Sequence, residues 1–216
     1  FELLEPSELE LDLQQLKLKF EETFLRVWQV TTESDGFNRL VMRAGLTWSN
    51  VAVLRAYAKY LRQAGITFSQ SYMANTLAEN ASISRLLIEL FTARFDPAFD
   101  GEREKEEKGI TARIFEALDS VASLDDDRII RRFINLIQST LRTNVYQEGA
   151  GERGKPYFSF KLDSQNIEEL PLPRPHVEIY VYSPRVEGVH LRGGTVARGG
   201  LRWSDRREDF RTEVLG

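Results

Sequence analysis

Apolar side chains fall at Leu9, Leu13, Leu16, Phe20, Phe24 and Val27, in alternating steps of four and three. That spacing draws one stripe down a helix, predicted to run to about Val30 with the stripe toward the core. Just after Pro6, Ser7-Glu8-Leu9-Glu10 has the spacing of a capping box, in which hydroxyl and carboxylate each satisfy an orphan amide. Asp35-Gly36 interrupts the pattern. A short helix from about Phe37 is predicted to end at Gly45, a residue suited to the left-handed position after a helix. Val51, Leu54, Tyr57, Ala58 and Leu61 predict a longer helix over about 48–64, closed by Gly65. Two more are predicted over about 69–77 and 82–95, the second carrying Ile83, Leu86, Leu87, Leu90 and Phe91. Residues 101–109 are mostly charged, with mixed sign, and read as a solvated helix start or loop. Helical spacing resumes at Ile110, Ile114, Leu118 and Val121, then at Ile129, Ile130, Phe133, Ile134, Ile137 and Leu141.

The period then changes. Residues 147–156 are too rich in glycine for a helix interior. Beyond them Tyr157-Phe158-Ser159-Phe160-Lys161-Leu162 alternates as a strand does, and Val177-Glu178-Ile179-Tyr180-Val181-Tyr182 does so again. Pro171, Pro173 and Pro175 keep the stretch between them extended and out of a sheet centre. Further strands are predicted over 186–191 and 195–203, and Asp205-Arg206-Arg207-Glu208 has the spacing of a second capping box. The expected class is α+β. A bundle-like helical region at 1–146 and a glycine-rich connection at 147–156 precede a small β-rich region at 157–216.

Composition narrows the setting. With 216 residues, 42% hydrophobic and 29% charged, the chain can bury a core. A formal net charge of -4 argues against a nucleic-acid partner. No cysteine is present, which excludes disulfides, thiolate metal sites and cysteine nucleophiles and fits a cytoplasmic setting. No apolar run is long enough for a membrane span, and the N-terminus has no signal-peptide pattern. The chain starts without Met and stops at Val214-Leu215-Gly216, where a helix has barely begun, so a fragment of a longer polypeptide is expected.

Candidate chemistry is sparse. Neither a Gly-x-Ser-x-Gly elbow nor a phosphate loop ending in Gly-Lys-Ser/Thr occurs. His176 and His190, the two histidines, sit on predicted strands and read as structural. Asp125-Asp126-Asp127 opens a predicted helix, where the macrodipole favours negative charge, and no metal site is expected there. The stretch from Gly188 to Asp205 is the unusual one. Gly193-Gly194 and Gly199-Gly200 flank a short strand, so bare backbone could approach a ligand. Arg198 precedes the second pair, and its guanidinium fork matches a carboxylate or phosphate. A surface arginine beside a tight turn remains the other reading. Arg185, Arg192, Arg198, Arg202, Arg206, Arg207 and Arg211 form a basic strip, but five carboxylates among them leave too little excess for a nucleic-acid surface.

Residues 187–216, from Glu187-Gly188-Val189-His190-Leu191-Arg192-Gly193-Gly194 through Ala197-Arg198-Gly199-Gly200-Leu201-Arg202-Trp203 and onward, resemble the entrance to the catalytic domain of the large bacterial NAD-dependent glutamate dehydrogenases. Asp35-Gly36-Phe37-Asn38-Arg39-Leu40-Val41 and Ala64-Gly65-Ile66-Thr67-Phe68-Ser69-Gln70-Ser71-Tyr72-Met73 resemble the helical region upstream of it. The resemblance implies a parent with ACT-like regulatory domains, helical motifs, a catalytic domain and a long C-terminal region. It implies oxidative deamination of L-glutamate to 2-oxoglutarate and ammonia with NAD, in a homo-oligomer whose remaining domains pack on this segment. Smaller glutamate dehydrogenases carry Lys-Gly-Gly-x-Arg-Phe, whose lysine binds the substrate's side-chain carboxylate; here Arg198 stands in that lysine's place, followed by Gly199 and Gly200. By the same resemblance the catalytic lysine, a second carboxylate-binding lysine, the acid/base aspartate and the NAD-binding domain lie beyond Gly216. The segment alone is then expected to be inactive, with no catalytic or cofactor-binding residue of its own. An autonomous helical interaction module is the alternative.

Overall fold

Helices fill the first part of the chain and strands the second, as the change of period predicts. The computed structural model describes residues 12–147, 157–168, 170–203 and 210–216. The expected capping boxes at 7–10 and 205–208, and most of the glycine-rich connection, lie outside the described residues. The described helices are α1 (Leu13–Trp28), α2 (Arg39–Arg43), α3 (Trp48–Gln63), α4 (Gln70–Glu79), α5 (Ala81–Phe95), α6 (Arg103–Leu118), α7 (Leu124–Ser139) and the short α8 (Phe210–Leu215). Strands β1 (Thr140–Thr143), β2 (Phe158–Asp163), β3 (Val177–Tyr182), β4 (Val186–Gly193) and β5 (Val196–Trp203) form one sheet in sequence order, each antiparallel to the next. The class is α+β, and no described helix is long and apolar enough to cross a membrane.

Local chemistry sets the helix ends. Asp12, Thr47, Ser69 and Ser123 each accept a hydrogen bond from an amide in the first turn of α1, α3, α4 and α7. The three aspartates do lie in the first turn of α7, where the macrodipole favours them. Gly45 and Gly65 take φ of 64° and 89°, the left-handed region in which a Cβ would be strained. At Gly65 the closure is doubled: Gly65 N–H bonds the Arg62 carbonyl at 3.0 Å and Ile66 N–H bonds Leu61 at 3.1 Å. The helix expected from Phe37 divides in two. Asp35 caps a 3-10 turn at Gly36–Asn38, and α2 follows it.

α3 is the centre of the molecule. Every residue from Val51 to Leu61 is buried, because helices pack on one side and the sheet on the other. The Tyr57 ring lies 6.2 Å from Phe91 and 4.9 Å from Phe160, joining α5 to β2. One hydrophobic cluster runs from Phe37 to Phe210, so helices and strands share a core. The sequence predicts α7 to continue to Leu141, but it ends at Ser139. Thr140 turns to extended backbone (φ -74°, ψ 124°), with its hydroxyl 2.8 Å from Tyr57 Oη and 2.7 Å from the Leu136 carbonyl. The chain enters β1 there.

The apolar stripe of α1 departs from expectation. Leu13, Phe20 and Phe24 are exposed, and only Leu16 and Thr23 of this helix are buried. The side that docks is offset and largely polar. Lys19 Nζ donates to the Gly45 carbonyl at 2.6 Å, Trp48 Nε1 donates to Glu22 at 2.8 Å, and the Arg26 guanidinium lies 4.6 Å over the Trp48 ring. Directed contacts fix the rotation of α1 that apolar periodicity alone assigns wrongly.

Another polar anchor lies deeper. Arg55 on α3 is fully buried and donates through Nε and Nη2 to both Asp35 oxygens at 2.8 Å, and to Asn38 Oδ1 at 2.6 Å and Thr32 Oγ1 at 3.2 Å. Burial alone lowers its pKa, but these bonds and the nearby Tyr182 and Glu33 outweigh it and hold the guanidinium more firmly charged than usual. Asp35→Ala leaves that cation without its counter-charge. Because Thr32 and Asn38 still accept, we expect a loss of about 3 kcal/mol, the low end for a broken buried pair, by urea unfolding. Glu104→Ala, which removes the exposed pair with Lys108, is the control and is expected to cost under about 1 kcal/mol.

Candidate functional site

The pleat of β5 separates the three residues that the sequence singles out. Arg198 is paired with Leu191 and Gly200 with Val189, while Gly199 is paired with His190. Alternate residues project to opposite faces, so Arg198, Gly200 and Arg202 share the face that α8 covers. Gly199 lies on the other. The two glycines therefore answer to different neighbours. A Cβ on Gly200 would lie 3.4 Å from Phe210 Cζ of α8, whereas one on Gly199 would lie 2.4 Å from His190 Cδ2 and 2.8 Å from the Val189 carbonyl oxygen. The close approach of β4 is enough to require glycine at 199.

Arg198 is exposed, with Nη1 donating to the Leu215 carbonyl at 3.3 Å. It borders a cavity of about 290 Å³ together with Arg174, Pro173, Pro175, Leu191 and Leu215. Two guanidinium groups at a small concavity favour an anionic ligand. Two larger clefts, of about 620 and 680 Å³, are not lined by Arg198. His190 is exposed, and the His176 backbone N–H bonds the Arg192 carbonyl at 2.8 Å. Among the described residues no group of three or more His, Asp or Glu is placed to hold a metal.

Behind this strand lies a buried polar network that charge counting misses. Arg211, the second residue of α8, donates to both oxygens of Glu178 on β3, at 2.9 Å from Nε and 2.5 Å from Nη2. Both side chains are 1% exposed. Tyr60 of α3 donates to the same carboxylate at 2.8 Å. Burial and the Glu178 charge push the Tyr60 phenol well above its ordinary pKa, so it remains a donor. Gln63, one turn on, accepts from the Arg211 backbone N–H at 3.2 Å and donates to Glu187 on β4 at 3.0 Å. Glu187 in turn pairs with Arg202 of β5 at 3.7 Å, and the Arg202 guanidinium lies 4.9 Å over the Phe210 ring. Each buried carboxylate thus meets one neutral donor from α3 and one arginine from the β5–α8 end. The sequence counts Glu187, Arg202 and Arg211 in a surface strip; their partners lie so far back in the chain that no local pattern reveals them.

Gly149-Ala150-Gly151-Glu152-Arg153-Gly154 has the letters of a dinucleotide-binding loop, Gly-x-Gly-x-x-Gly. It lies outside the described residues, and the described chain after it enters β2, not the helix that such a loop requires.

A helical layer and a five-stranded antiparallel sheet that share one core make the described residues a single α+β unit. A family model described as bacterial NAD-glutamate dehydrogenase, catalytic domain, matches residues 113–216, beginning inside α6. A second, glutamate dehydrogenase helical motif 3, matches residues 32–97. The chain is 52% identical to an NAD-specific glutamate dehydrogenase of Halomonas elongata over its full length, covering 13% of that protein. It is 54% identical to the protein of that name from Mycobacterium tuberculosis, over 92% of the chain and 12% of the relative. For the Pseudomonas aeruginosa protein the identity is 51%, over 96% of the chain and 13% of the relative. The chain belongs to the bacterial NAD-glutamate dehydrogenase family, and spans about an eighth of the length of the curated relatives it matches.

The crowding at β5 is testable by stability. Gly199→Ala forces backbone of two paired strands apart, and is expected to cost about 1–3 kcal/mol in chemical denaturation, as overpacking does. Gly193→Ala, where a Cβ meets open space, is expected to stay within about 0.5 kcal/mol of the parent.

Proposed function

We propose that the full-length protein containing this chain oxidatively deaminates L-glutamate to 2-oxoglutarate and ammonia with NAD, and that Arg198 receives a substrate carboxylate. The observation that supports the activity is the identity of 51–54% to proteins named NAD-specific glutamate dehydrogenase, over 92–100% of the chain. Arg198 draws support from its place at a small basic cavity on β5 and from its standing where the smaller enzymes have their lysine. Relative to lysine, a guanidinium keeps the charge and adds a second parallel hydrogen bond to the carboxylate. On this reading residues 157–216 begin the substrate-binding half of the catalytic domain, and Gly199 and Gly200 keep that half of the strand free of side chains.

The described residues do not fit NAD. Their sheet is an antiparallel meander, without the strand-glycine-helix crossover on which a dinucleotide pyrophosphate rests. Hydride transfer from glutamate also needs a base and an oriented nicotinamide. We assign those to residues beyond Gly216, in the same polypeptide and in its homo-oligomer, at a cytoplasmic location. One hydrophobic core runs through the helices and the sheet, which disfavours the alternative of a helical interaction module acting alone.

Two outcomes check this reading. The isolated 216-residue chain is expected to show no glutamate-dependent NADH formation and no saturable NAD binding by calorimetry; turnover from a clean preparation would contradict it. In the full-length enzyme, Arg198→Ala is expected to lower kcat/KM for glutamate by roughly 10- to 150-fold, the worth of one charge-assisted hydrogen bond, while KM for NAD holds. Arg198→Lys is expected to retain part of the activity. Arg185→Ala, an exposed arginine at another cleft, is expected to be near neutral. Unchanged glutamate kinetics in Arg198→Ala would leave that residue a purely structural role.

A further inference from the structure

We infer that Gln63 and Tyr60 of the helical motif are positioning residues for Arg198, acting through α8; the inference rests on the substrate role of Arg198 proposed above. α8 is held from α3, where Gln63 Oε1 accepts the Arg211 N–H at 3.2 Å. The Arg211 side chain is locked on Glu178, and Tyr60 donates to that carboxylate from α3 as well. Four residues along α8 from Arg211, the Leu215 carbonyl accepts from Arg198 Nη1. An exposed arginine samples many rotamers. The Leu215 carbonyl narrows that set, and it moves with Arg211, one turn away on the same helix.

Gln63 also reaches β5 by a second route. Its Nε2 donates to Glu187, and Glu187 pairs with Arg202, four residues along β5 from Arg198 and on the same face. A single amide on α3 therefore holds both the helix above Arg198 and the strand that carries it. Tyr60 and Gln63 lie outside the cavity bordered by Arg198, so neither is placed to touch substrate.

A double-mutant cycle in the full-length enzyme tests the inference. Gln63→Met keeps the length of the side chain and removes both hydrogen bonds. It is expected to raise KM for glutamate roughly tenfold and to leave KM for NAD within about twofold. In an Arg198→Ala background the same substitution is expected to add less than about twofold, because its effect passes through the missing guanidinium. Tyr60→Phe, which removes one hydroxyl and keeps the ring, follows the same pattern with a smaller shift and serves where Gln63→Met fails to fold. Additive effects in the cycle, or equal changes in both Michaelis constants, would overturn the inference. A damaging Arg198→Ala beside a silent Gln63→Met and Tyr60→Phe sinks the inference and spares the substrate role. A silent Arg198→Ala removes both.

Discussion

A carboxylate leaves water at a cost that ion pairing and hydrogen bonds must offset. Glu178 meets that demand with two bonds from Arg211 and one from Tyr60, and Glu187 with Gln63 and Arg202. These partners come from three elements, α3, β5 and α8, and the carboxylates from two neighbouring strands, β3 and β4. Remove Arg211 and the Glu178 charge is left in the core without its cation. The placement of α8 over β5, and with it the shape of the basic cavity, follows from this requirement more than from apolar packing. Phe210 supplies the apolar part, fitted against a glycine that leaves room for it.

Arg55 solves the same problem about two turns before Gln63 on α3. Its guanidinium meets Asp35, Asn38 and Thr32, and the loop before α2 is shaped around it. α3 is thus buried on all sides yet carries Arg55, Lys59 and Gln63 among its buried residues. Each has a partner: Lys59 pairs with Glu33 at 2.8 Å. The helix behaves as a rod with polar pins, apolar enough to be central and polar enough to be fixed in rotation and depth. The contacts of Tyr60 and Gln63 thereby tie the residues that match the helical motif model to those that match the catalytic domain model.

Much of the fold was legible in the residues. The steps of three and four through Ile129, Phe133 and Ile137 mark α7, and Gly45 and Gly65 close their helices where expected, because local sterics and periodicity act within a few residues. The α1 face was misread, since its docking depends on Lys19, Glu22 and Arg26 meeting groups 22–26 residues away. β3 is instructive too. Its alternation is plain, but either set could face inward by hydrophobicity, and the structure buries Glu178, Tyr180 and Tyr182 and leaves Val177, Ile179 and Val181 only partly covered. Aromatic payload and ion pairing outweigh the aliphatic set. At the site, Arg198 could be singled out from its glycine context. Gln63, Tyr60, Glu178 and Arg211 could not, because only the fold brings them together.

The separation of those partners along the chain has a consequence for how the molecule is made. The meander of β1 to β5 and the caps of the helices need only neighbouring residues. Tyr60 and Glu178 are 118 residues apart, and Gln63 and Arg211 are 148 apart. On a ribosome α3 emerges long before its polar partners do. Until Arg211 arrives, Glu178 lacks its cation and Gln63 lacks its partner on α8. The end of the sheet that carries Arg198 therefore takes its final form only after Arg211 has been made, however early the helices fold.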